Sequence, residues 1–102
     1  MESDNQQKLA DVRRAIDAID QKIIDLLAQR QIQVEAAGRL KPKNNTQAVA
    51  APDRVRQVIE NRRQQAEAMG LSPDVAEAVW QAMINAFIKL EHDVNRKSGE
   101  AV

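Results

Sequence analysis

A chain of 102 residues with 15 basic and 15 acidic side chains has no net charge, so no bulk field recruits nucleic acid or an acidic membrane surface. With no cysteine and one histidine, it lacks the residues for disulfides, thiolate metal sites or a transition-metal cluster. The opening MESDNQQK is polar, and no stretch approaches the roughly 20 apolar residues of a membrane span, so the expectation is a single cytoplasmic domain over residues 1–102.

Few glycines and aromatics, with abundant Ala, Gln, Glu, Arg and Leu, favour an all-α chain. Residues 1–6 read as a loose end, and a first helix is expected from about Gln7 to Leu40. Along it Leu9, Val12, Ile16, Ile19, Ile23 and Leu26 recur at spacings of three and four, which makes one apolar stripe. A helix of this length extends beyond one core, which suggests pairing with a second chain. Pro42 ends it, because the residue before a proline is pushed out of the α region. The next stretch, 42–51, has no periodicity and clusters Asn, Lys and Pro, the composition of a mobile loop that could act as a lid.

Pro52 and Asp53 suit the first turn of a second, short helix, and Gly70 is a C-terminal stop. Its inward face is expected to carry Val55, Val58, Ile59, Ala66 and Met69. Ser72-Pro73-Asp74 then provides a capping hydroxyl, a proline at the first position and an acid. The third helix should run to about Arg96, with Val79, Met83, Ala86, Leu90 and Val94 as its main seam and 98–102 as a loose tail. The architecture is long helix, loop, short helix, tight turn, long helix, with no strand.

Several charges are not explained by this pattern. Arg30 falls where the first-helix stripe calls for another apolar residue, and a charge there needs a partner or a ligand. Lys41 follows eleven residues later, at about 100° per residue nearly the same face, and ~16 Å along the axis. Together they could cradle an anionic small molecule. Arg13 lies ~25 Å before Arg30, too far for one chain to bring both to one small ligand, whereas an antiparallel partner helix could. Arg54 stands in the first turn of the second helix, where a cation is unfavourable unless an anion binds. Glu91 shares a face with Trp80, Ile84 and Phe87, and apolar neighbours of that kind favour a neutral carboxylic acid. Each charge also has a plainer reading: a solvated helical arginine, a snorkelling side chain, a lysine on the helix dipole, an ordinary ion pair. Trp80 and Phe87 read as core, and His92 as surface.

Several cations, one carboxyl group and no nucleophile–base pair do not suit hydrolysis. They suit a reaction with no covalent or acid–base step, in which a dicarboxylate is held in a compact conformer and developing charge is stabilised.

Taken together, LADVRRAIDAIDQKIIDLLAQR, the GRLK ending of the first helix, AAPDRV at the second and the GLSP turn resemble the all-helical chorismate mutases, especially the small isochorismate pyruvate lyases. The resemblance covers nearly all of Leu9 to Glu91. It implies an intertwined homodimer of three-helix chains with two equivalent sites and no cofactor. By position, Arg13 matches an arginine supplied by the partner chain, Arg30 one that holds a substrate carboxylate, and Arg54 the arginine opening the second helix. Lys41 matches the lysine at the ether oxygen of the breaking C–O bond, and Glu91 the residue on the other side of that oxygen. Bacterial mutases and the lyase usually carry Gln there, and fungal mutases Glu. Val55 replaces the mutase glutamate that accepts from the substrate ring hydroxyl, and Phe87 is aromatic where mutases are small and polar. Both are lyase-like features.

The expectation is therefore a chorismate mutase, with isochorismate pyruvate lyase as the alternative and a non-catalytic helical dimerisation module as a third reading.

Overall fold

The computed structural model describes residues 2–98, with side chains from residue 4 onward, and no strand occurs among them. Helix α1 runs Glu2–Leu40, α2 Thr46–Ala50, α3 Pro52–Met69 and α4 Pro73–Ser98. The protein is thus all-helical. Helix α1 is already formed at Glu2, where the sequence suggested a loose end. The expectations for residue 1 and for 99–102 lie outside the described residues.

By its internal contacts the chain divides into two units, residues 1–32 and 33–102. The first consists of the greater part of α1. Its apolar stripe is open to solvent: Leu9, Val12, Ile16, Ile19, Ile23 and Leu26 are all between 46% and 61% exposed. Helices gain most of their stability from packing an apolar face, and this face is unpacked.

The second unit is built around α4. Val58 and Ala66 of α3 are buried, as the sequence pattern suggested, and α3 packs along α4. Met69, expected to face inward, is 84% exposed. It is the last residue of its helix and lies at the open edge of a hollow that it lines with Ala66, Ala76 and Trp80. Gly70 adopts a left-handed conformation at φ 78° and its N–H donates to the carbonyls of Ala66 and Glu67. The Leu71 N–H also donates to Ala66 O, which completes a Schellman-type stop. Ser72 Oγ accepts from the Val75 N–H at 3.3 Å and starts α4 as expected. Arg63 braces the same turn, donating from Nη1 to Asp74 at 3.1 Å and to Glu77 at 3.0 Å. The hydrogen bond to Asp74, with Glu77 adding its charge, raises the pKa of this guanidinium above its ordinary value.

The face that α4 buries differs from the expected one. Ala76, Ile84, Glu91 and Asn95 are buried, whereas Val79 and Ala86 of the expected seam are exposed. Helix α4 is apolar on two stripes, and periodicity alone does not say which one the rest of its own chain covers.

Residues 42–51 are also more ordered than a featureless loop. Asn45 caps α2, its Oδ1 accepting from the Ala48 N–H at 2.9 Å, and Val49 is 2% exposed where α2 packs on α4. One capping side chain and one anchored valine suffice for this turn, too short a segment for periodicity to register.

Candidate active site

The end of α1 meets α4 in a constellation of polar groups. Lys41 follows directly on the last helical residue, and its Nζ donates to both carboxylate oxygens of Glu91, at 3.0 Å and 3.2 Å. Glu91 is 6% exposed, whereas the Lys41 side chain keeps 29% of its surface in solvent. The pair therefore joins a buried carboxylate to a lysine side chain that is partly exposed. Sequence reasoning placed both residues at the site but stood Glu91 among apolar neighbours as a neutral acid. The structure gives it a cation from just beyond the end of α1, which the face pattern of α4 alone does not reveal.

The two backbones approach closely here because residue 38 is glycine. A Cβ on Gly38 would lie 3.0 Å from Glu91 Cγ, 3.2 Å from Glu91 O and 3.3 Å from Val94 Cγ1. A side chain there would press against the α4 backbone, which would have to give by a few tenths of an ångström.

Phe87, one turn before Glu91 on α4, is half-buried. Val55 is half-buried and Arg54 exposed in the first turn of α3. Ala51, the capping residue just before that helix, has a left-handed backbone (φ 39°) and makes no side-chain cap. The first-turn amides of α3 thus receive no side-chain acceptor at the cap, beside a cation placed at the wrong end of the dipole.

Arg13 and Arg30 belong to the other unit. Arg13 is exposed; Arg30 is half-buried, with Nη1 shielded from solvent. The structure therefore brings Lys41 and Glu91 together directly, puts Phe87 on the same helix as Glu91, and leaves Arg13 on an open helix surface.

Sequence reasoning missed Gly38, Val49 and Asn95. The signal for Asn95 was present: it lies four residues after Glu91, on the same face of α4, and a buried amide there needs partners.

Comparison with known proteins agrees with these features. The family model for chorismate mutase type II matches residues 12–92. The chain is 38% identical over 80 residues to the isochorismate pyruvate lyase of Pseudomonas aeruginosa, a match covering 78% of this chain and 77% of that protein. It is 31% identical over 91 residues to the T-protein of Enterobacter agglomerans and 34% identical over 92 residues to that of Haemophilus influenzae. These matches cover 89% and 90% of this chain but only 24% of each T-protein, so the chain spans about a quarter of their length.

Proposed function

Because the chain belongs to the chorismate mutase type II family, we propose that it is a chorismate mutase, rearranging chorismate to prephenate in a homodimer with two equivalent sites. In this reaction a C–O bond breaks while a C–C bond forms within one molecule, with no proton transfer and no covalent adduct. The protein's task is to hold the dicarboxylate compactly and to stabilise negative charge developing on the ether oxygen.

The observation that carries this reading is the Lys41–Glu91 pair, a buried carboxylate held by a partly exposed lysine. An ammonium has three donors, and the two oxygens of Glu91 do not exhaust them. The donor that remains is available to an ether oxygen, and Glu91 fixes where it points. Arg30 and the partner chain's Arg13 would clamp the substrate carboxylates, with Arg54 assisting from the start of α3 and Val55 and Phe87 as apolar walls. No cofactor enters the scheme.

The homodimer is supported by the open apolar stripe on α1 and by the second, exposed stripe on α4 that includes Val79. A second copy presents the same stripes, so a two-fold pairing buries both at once.

Elimination of pyruvate from isochorismate, giving salicylate, is the second reading. Two observations favour it: Val55 and Phe87 are lyase-like, and the lyase relative is matched over most of its length. The same cationic frame serves both pericyclic routes. Incubation with each substrate separately distinguishes them, and the expected result is a higher kcat/KM for chorismate. A preference for isochorismate would assign the chain to the lyases instead.

A further inference from the structure

We propose that Asn95 is a positioning residue for Lys41, acting as the donor that Pro42 cannot supply at the end of α1. The inference rests on the role of Lys41 given above.

An α-helix closes each carbonyl with the N–H four residues on. At the end of α1 the Lys41 N–H reaches Ala37 O at 3.1 Å, but the next residue is proline and has no N–H for Gly38 O. Asn95 Nδ2 takes that place, donating to Gly38 O at 2.8 Å. The same nitrogen lies 3.2 Å from Lys41 O and 3.1 Å from Pro42 O, so two protons are shared among three carbonyls. These carbonyls bracket the Cα of Lys41 on both sides. Asn95 is 1% exposed, so no solvent substitutes for its amide.

Asn95 and Glu91 lie one turn apart on α4 and act on the two ends of one residue. Asn95 holds the backbone of Lys41, and Glu91 holds its ammonium. Gly38 lets α4 come close enough for both. Removal of the amide frees the 41–42 backbone and, with it, the height at which Nζ stands.

The test compares Asn95→Ala in the wild-type background with the same change in a Lys41→Met background, below the unfolding temperature of every variant. In the wild type, kcat should fall about tenfold to a hundredfold while KM changes by less than about twofold, the pattern of an interaction realised in the transition state. In the Lys41→Met background the same change should cost less than about twofold, because residues that act as one unit are not additive. An equal loss in both backgrounds, or a loss confined to KM, would overturn the proposal.

A second readout needs no turnover. In NMR spectra the two ε-methylene protons of Lys41 should be inequivalent in the wild type and averaged in a folded Asn95→Ala protein. An unchanged Lys41 signal would equally overturn it. If neither substrate turns over but the Lys41 signal collapses in the variant, the functional reading fails and the positioning role stands. Should Asn95→Ala not fold, Asn95→Ser, which keeps a single donor, is measured in its place, with the same criteria.

Discussion

Lys41→Met should lower kcat about a hundredfold to a thousandfold with chorismate, equivalent to roughly 3–4 kcal/mol of transition-state stabilisation. Methionine keeps the length and apolar stem of lysine and removes only the charged donor. The ether oxygen then has no cation to meet it when the C–O bond breaks. KM should change far less, since the carboxylates of the substrate are assigned to the arginines. The substitution also leaves Glu91 buried without its partner, which costs up to about 3 kcal/mol of stability when one member of a buried pair is lost. Circular dichroism at the assay temperature therefore accompanies the kinetics. A folded Lys41→Met protein with kcat within threefold of the wild type would remove Lys41 from the chemistry.

Arg30→Ala should weaken binding of a dicarboxylate transition-state mimic by about a hundredfold, the scale of a lost bidentate guanidinium–carboxylate pair. Calorimetric titration measures this directly, and sedimentation measures the oligomer in the same samples. The oligomeric state should not change, since the stripe around Arg30 supplies the packing. A non-catalytic dimerisation module behaves differently: the wild type itself would not bind the mimic, so the variant would have no affinity to lose. Unaltered binding in a folded Arg30→Ala protein would leave the carboxylates to other cations, Arg54 first among them.

The helices were legible because each is written in a strong local code. The spacing from Leu9 to Leu26 marks α1, Pro42 its end, Gly70 the end of α3 and Ser72-Pro73 the start of α4. Lys41 and Glu91 were legible as site candidates because each is a charge that the surrounding pattern does not need. What was not legible depends on contacts between elements. The pairing of Lys41 with Glu91 spans 50 residues, and no periodicity within one helix encodes it. The choice between the two apolar stripes of α4 is likewise made by what packs on it: α3 and α2 cover the line through Ala76 and Ile84 and leave Val79 open. Helix α2 was missed because a single capped turn held by Val49 is shorter than any period. Asn95 was passed over because an asparagine late in a helix reads as surface unless the Gly38 carbonyl, 57 residues earlier and orphaned by Pro42, is considered with it.

Arg13 and Arg30 bear on the central claim, a site shared between two chains. Arg13→Ala and Arg30→Ala should each be nearly inactive alone. When the two are unfolded together and refolded as a mixture, half of the dimers should contain one chain of each kind. Such a dimer has one site with both arginines and one site with neither. Chorismate turnover of the mixture should therefore recover to about a quarter of the wild-type value. Turnover no higher than that of either variant alone would mean that the two arginines do not serve one site from opposite chains.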